Sequence, residues 1–187
     1  MFLLCYSSPA AILGTNGSGE INKSHLYNAS NKFTMPKMAK SPRKQSVPER
    51  RSECPLNASV EMLGDRWSLL IIRDMMLRGF RTYKEFMECY EGIATNILAD
   101  RLRKLVTYGI ISAEADPADG RRLIYLLTKK GIDLAPVLTE MVLWAASHEE
   151  TGNQALVRLM RKDKEKFLAE VLEGWANRQY RAAAPRG

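Results

Sequence analysis

Between residues 82 and 127 the chain sets down a fixed succession. A short apolar-faced segment comes first, then a glycine-bearing break, a longer amphipathic segment, and two short alternating runs around a turn. Few architectures accept that order. Thr82–Tyr90 (TYKEFMECY) reads as a short helix with Tyr83, Phe86 and Met87 on one side. Gly92, within Glu91–Ile93, supplies a residue free to turn the backbone. Ala94–Tyr108 then carries Leu98, Leu102 and Leu105 at i, i+4 and i+7, a single face of a helix, and Gly109 ends it. Helix, tight turn and amphipathic helix make a helix-turn-helix pattern. Ile110–Glu114 and Leu123–Leu127 read as strands, joined through Asp116-Pro117-Ala118-Asp119-Gly120, a hairpin signal. A hairpin directly after a helix-turn-helix is a wing, with Arg121 and Arg122 at or just past its tip.

The flanking sequence supports a mainly α fold. Pro55–Leu63 opens with a proline suited to a first helical turn. Gly64 stops that helix, and Asp65 is placed to cap the next by accepting from its first-turn amides. Arg66–Arg78 carries two apolar stripes, Trp67/Leu70/Ile71/Met75 and Leu69/Ile72/Met76, and so reads as a central buried helix. After the wing, a stretch at about Ile132–Ser147 is helical, with Pro136 either in its first turn or kinking it. Residues 153–180 read as one or two further helices that Gly174 interrupts, and Ala182–Gly187 reads as a frayed end. The expected organisation is a tail over 1–52, a winged helix-turn-helix domain over 53–148 and a helical C-terminal extension over 149–187. The fold class is thus mainly α with a small β-hairpin.

Composition limits the functional classes. The formal net charge is +7, from 28 Lys and Arg against 21 Asp and Glu, but it is unevenly placed. Residues 54–148 hold 12 basic and 12 acidic side chains, so the excess lies outside them, including six basic residues against one acidic in Lys37–Arg51. Overall charge is therefore weak support for a nucleic-acid-binding core. The three cysteines, Cys5, Cys54 and Cys89, are too few and too widely spaced for a disulfide framework or a zinc site, and fit a reducing cytoplasm. No apolar run approaches the ~20 residues of a membrane span. Residues 14–53 are rich in Gly, Ser, Asn, Pro and Lys without periodicity, so 1–52 reads as a mostly disordered tail, and the first 34 residues read as an upstream extension, with Met35 and Met38 as alternative starts. The two histidines, His25 and His148, fall in the tail and at a helix end. With no nucleophile–base set and no phosphate loop, the expectation is a non-enzyme without cofactor or metal.

On the second helix of the unit, the face opposite the leucines presents Thr95, Asn96, Ala99, Asp100 and Arg103, with Arg101 and Lys104 at its edges. A helix fits the major groove, where Arg pairs with guanine and Asn with adenine, and the N-terminal residues normally reach the bases. Asp100 either accepts from cytosine or pairs with Arg103 or Lys104. Arg121 and Arg122 suit the minor groove or its phosphates. Arg78, Arg81 and Lys84 are candidate phosphate anchors. For each of these cations the competing reading is a solvated surface charge.

These residues carry a family resemblance. Cys54-Pro55, Gly64-Asp65-Arg66-Trp67-Ser68-Leu69-Leu70-Ile71-Ile72-Arg73-Asp74, Gly79–Phe86, Gly92-Ile93-Ala94, Arg101–Leu105, Tyr108–Ile111, Tyr125–Gly131, Pro136-Val137-Leu138 and Trp144 occur in an order that resembles the HxlR-type winged helix regulators. The resemblance implies a homodimeric regulator of transcription, a repressor or an activator that answers a chemical signal. It also implies that Cys54, before the helix starting at Pro55, senses oxidants or electrophiles; a helix N-terminus favours the thiolate. The competing effector site is a small-molecule pocket lined by Trp67 and Trp144. Two departures stand out. Ala94 replaces the usual Ser or Thr cap, a role Thr95 is expected to take over, and the wing at 116–122 is closer to that of MarR-type regulators.

Surplus apolar surface gives the dimer a physical basis. Leu56, Val60 and Leu63 on the first helix, and Leu134, Val137, Leu138, Met141 and Trp144 on the late one, exceed what one intrachain contact requires. A two-fold axis would bury them and set two recognition helices about 34–36 Å apart, or a multiple of one turn. The alternative is that residues 153–175 cover this surface within one chain. The expected partners are double-stranded DNA, a second copy and an effector. The rival function is a winged helix used only for protein contact.

Overall fold

The computed structural model describes residues 47–89, 92–117 and 119–183, and all of them belong to a single unit, Lys44–Gly187. The expectations for residues 1–46, and for Tyr90, Glu91, Ala118 and 184–187, lie outside the described residues. Residues 47–54 carry neither helix nor strand and are exposed.

Eight helices and one hairpin follow among the described residues: α1 Pro55–Leu63, α2 Arg66–Leu77, α3 Tyr83–Met87, α4 Thr95–Thr107, β1 Ile111–Asp116, β2 Asp119–Leu127, α5 Lys129–Ile132, α6 Ala135–His148, α7 Gln154–Lys162 and α8 Lys164–Ala183. The fold is mostly helical with a two-stranded antiparallel hairpin, a winged helix-turn-helix.

α2 is the central helix. Asp65 caps it, accepting from the Trp67 and Ser68 backbone amides at 3.0 and 2.9 Å. Both of its apolar stripes are buried, through Ile71 and Met75 on one and Ile72 and Met76 on the other. Around it lie Phe86 of α3, Leu98, Leu102 and Leu105 of α4, Ile110, Ile111, Tyr125 and Leu127 of the wing root, and Ile132 and Ala135. The segment beyond 148 adds Met160, Phe167 and Val171 to the same cluster.

Several boundaries differ from the sequence reading for identifiable reasons. Thr82 lies outside α3 and caps it. Its hydroxyl accepts from the Glu85 amide while Glu85 accepts from the Thr82 amide at 2.7 Å, a reciprocal capping box. Thr95 does not replace Ala94 as a cap: Ala94 is the N-cap of α4 and offers no side-chain bond. The wing strands run further than expected, with Asp116 opposite Asp119 and a bulge at Ala115/Asp116. The expected helix at Ile132–Ser147 is broken after Ile132. Pro136 cannot donate an amide in a continuous helix, so α6 restarts at Ala135 with the proline in its first turn. Gly174 does not interrupt α8, which continues through it to Ala183.

Candidate nucleic-acid interface

The helix-turn-helix is α3 and α4. Gly92 turns the chain between them with φ of 70°, and Gly109 closes α4 with φ of 65°, both left-handed positions that favour glycine. The Tyr83 hydroxyl donates to the Thr95 carbonyl at 2.7 Å and so ties α3 to the first turn of α4. Thr95 and Asn96 in that turn are exposed, as is Asp100, while Ala99 is half-buried. Arg103 is exposed by 53% of its side chain and lies 3.4 Å from Asp100. Asp100 also pairs with Arg101 at 2.7 Å. Of the two pairings weighed for Asp100, the one with Arg103 forms; Lys104 pairs elsewhere.

Arg101 and Lys104 turn back toward the protein. Lys104 Nζ donates to Asp65 Oδ2 at 3.1 Å. Arg101 Nε lies 3.1 Å from Asp65 Oδ1, an ion pair without the angles of a hydrogen bond. Their side chains are only 26% and 24% exposed. Asp65 thus serves the N-terminus of α2 and the inner edge of α4 together. Burial raises its carboxyl, but hydrogen bonds from Ser68, Lys104 and Trp67 outweigh that and hold it below the usual carboxylate value.

The wing carries its two arginines near the start of β2. Arg121 is 92% exposed and pairs with Asp119 at 3.1 Å. Arg122 reaches Asp116 at 3.2 Å and Asp119 at 3.5 Å. Further along β2, burial first and then Tyr83 push the Tyr125 hydroxyl above its ordinary value, with the Arg103 charge opposing them. That interaction marks how near the wing stands to α4.

The candidate anchors divide. Lys84 is exposed and makes an i,i+4 pair with Glu88, at 3.6 Å. Arg81 is half-buried; its amide donates to Glu85 and its carbonyl accepts from Tyr125. Arg78 pairs with buried Asp74 and packs on Phe80.

The apolar residues expected at a dimer interface also divide. Leu56, Val60, Val137, Met141 and Trp144 are exposed, with Leu56 at 72% and Trp144 at 66%. Leu63, Leu134 and Leu138 instead pack against the chain's own core. Cys54 is exposed at the start of α1, and Cys89 is half-buried beside Trp67, Phe86 and Ile93.

Sequence reasoning missed the cross-links: Asp65 to α4, Tyr83 to Thr95, and Asp74 to its arginines. The capping signal at Asp65 was legible, but a partner 39 residues away has no local signature. Among the described residues there is no cluster of metal-binding side chains, and no helix is long and apolar enough to cross a membrane.

Residues 62–153 match the model of the HxlR-like helix-turn-helix family. The chain is 35% identical over 88 residues to the uncharacterized HTH-type transcriptional regulator sll1512 of Synechocystis sp., covering 47% of this chain and 64% of that one, just short of two thirds of its length. It is 35% identical over 101 residues to the HTH-type transcriptional regulator YodB of Bacillus subtilis, covering 54% of this chain and 89% of YodB. Among solved structures it is similar to PA1607, described as a candidate transcription factor, with 35% identity, a TM-score of 0.50, and coverage of 56% of this chain and 71% of that one.

Proposed function

The chain belongs to the HxlR-like helix-turn-helix family of transcriptional regulators, and from that premise we propose that it is a sequence-specific repressor that binds duplex DNA as a homodimer. The observation that carries this reading is the outward face of α4. Its first turn leaves Thr95 and Asn96 exposed, Arg103 follows on the exposed side, and the leucines of the same helix are buried. In this reading Thr95, Asn96, Ala99, Asp100 and Arg103 meet base edges in the major groove. Arg121 and Arg122 meet the minor groove or its phosphates, and Arg81 and Lys84 flank them. Arg101 and Lys104 serve the fold through Asp65.

The ion pairs of Arg103 and Arg121 do not oppose the assignment. Exposed pairs are worth about 0–1 kcal/mol and yield to a phosphate or a guanine edge. Leu56, Val60, Val137, Met141 and Trp144 form the dimer face. Cys54 is the sensor: exposed at a helix start, it is open to oxidants and electrophiles.

Salt titration tests DNA binding. A dimer with about 6–10 phosphate contacts loses roughly 10³–10⁵ in affinity between 50 and 200 mM salt. Flat binding, or none to the promoter region of its own gene, favours a winged helix used for protein contact. For the sensor, electrophile treatment is expected to release wild type from DNA and leave Cys54→Ser bound. Equal release of both removes Cys54 from the role.

A further inference from the structure

The family match ends at residue 153, so α7 and α8 lie beyond it. α8 nevertheless reaches back to the wing. Trp175 Nε1 donates to the Leu127 carbonyl at 2.9 Å, and Gln179 Nε2 donates to the same oxygen at 2.7 Å. Between them in sequence, Arg178 Nη2 donates to the Met76 carbonyl at the end of α2, at 2.9 Å. Phe167 and Val171 of the same helix are buried in the core.

The position of Leu127 gives these bonds their meaning. One edge of β2 is paired with β1. On the other edge the Tyr125 amide donates to the Arg81 carbonyl at 2.7 Å, beside an isolated bridge between Thr82 and Ile124. Backbone groups along a strand alternate in direction, so Leu127 faces the same way as Tyr125, past the end of that short pairing. An unpaired strand edge exposes backbone groups that seek partners. Here two side chains of α8 supply them, at the last residue of the wing. Arg178 runs close to Gly79 and Gly174: a methyl group at either would lie within 3.6 Å of its side chain.

We propose that Trp175 and Gln179 are positioning residues for DNA binding: by closing the open edge of β2 at Leu127, they fix the root of the wing and so the reach of Arg121 and Arg122 relative to α4. The proposal rests on the DNA-binding reading above. Neither residue touches DNA. Their contribution is to order the wing before binding, so that the complex does not bear that cost.

The test uses the full chain and a duplex that wild type selects from a random-sequence pool. The variant is Trp175→Phe/Gln179→Met, which keeps apolar bulk and helix preference but removes both donors and leaves Arg178 in place. Gln179→Met alone is the milder form if the double variant folds poorly. Hydrogen exchange over residues 119–127 is expected to speed up about tenfold, with α2 and α4 unchanged. Affinity for the selected duplex is expected to fall about tenfold through lost preorganisation. Combined with Arg121→Ala/Arg122→Ala, the further loss is expected to be under about threefold, because a displaced wing has already lost those contacts. Unchanged exchange in the wing overturns the proposal, as do losses that simply multiply, which a purely structural role would give. A wild type that selects no duplex overturns the DNA reading and this proposal together. A wild type that selects one, with multiplying losses, overturns this proposal alone.

Discussion

Asp65 concentrates more of the fold's polar bonding than its size suggests. It accepts from the Trp67 and Ser68 amides, the Ser68 hydroxyl and Lys104, and it pairs with Arg101. Two substitutions separate these roles. Asn is as good an N-cap as Asp, so Asp65→Asn keeps the cap and removes the charge. Its cost, with Lys104 losing its carboxylate and Arg101 left to Asp100, is expected at about 1–2 kcal/mol, between that of an exposed and a buried pair. Asp65→Ala loses the cap as well, for about 1 kcal/mol more. The pH dependence has a definite sign. The carboxyl is held below its ordinary value in the folded chain, so its contribution is present above the unfolded pKa, about 3.9, and fades as pH falls through the folded value. Urea unfolding should therefore show the full gap between wild type and Asp65→Asn at neutral pH, shrinking as pH falls below the unfolded value of about 3.9. A gap that persists unchanged in acid would mean that the charge of Asp65 is not what the two cations answer to.

At the scale of the element, α4 lacks a side-chain cap at the very end that faces outward. Ala94 has the extended backbone of an N-cap, φ −71° and ψ 146°, but no side-chain acceptor for the first-turn amides. Ala94 is also exposed, so a hydroxyl fits there. Ala94→Ser is expected to stabilise the chain by about 1 kcal/mol, raising the melting temperature by roughly 2–4 °C in calorimetry. No gain would show that the amides of Asn96 and Ile97 are already satisfied. This helix also shows what the sequence discloses and what it withholds. Leu98, Leu102 and Leu105 share a face because the helical period demands it, and that was enough to orient Thr95, Asn96 and Arg103 outward. The same reasoning put Arg101 and Lys104 at the edge of the outward face but could not tell that both bend back to Asp65, because that pairing depends on how α2 crosses α4. The break before α6 was half legible: Pro136 announced a discontinuity without saying whether the helix would bend or restart. Gly174 misled for the opposite reason. A glycine weakens a helix locally by about 1 kcal/mol, and α8 runs through it because the residues that follow are anchored elsewhere in the fold, Trp175 and Gln179 to Leu127 and Arg178 to Met76.

The whole molecule leaves one question that neither residue nor element answers, which is what covers the outer faces of α1 and α6. Within the chain, α7 and α8 pack against α6 and against each other, and Lys164 of α8 pairs with Glu140. They still leave Val137, Met141 and Trp144 open, at i, i+4 and i+7 on one side of α6, and Leu56 and Val60 open on α1. The reading in which residues 153–175 cover this surface thus accounts for only part of it. Exposing large apolar side chains in such a row is costly, and a second copy offers the same row in return, as a two-fold interface requires. Trp144 is the natural anchor, since aromatic residues dominate such contacts, and its ring already packs against His148 at 5.2 Å. Trp144→Glu puts a charge at the centre of that face without disturbing the core, because the side chain is two-thirds exposed in the single chain. Sedimentation at micromolar concentration should give wild type at twice the chain mass of 21.1 kDa. The variant should run as a folded single chain with unchanged helical circular dichroism. Its affinity for a two-half-site duplex should fall by at least about 10²-fold, because linked half-sites bind with a high effective concentration that a monomer lacks. A wild type that sediments as a single chain, or a variant that stays paired, would place the two-fold elsewhere or remove it.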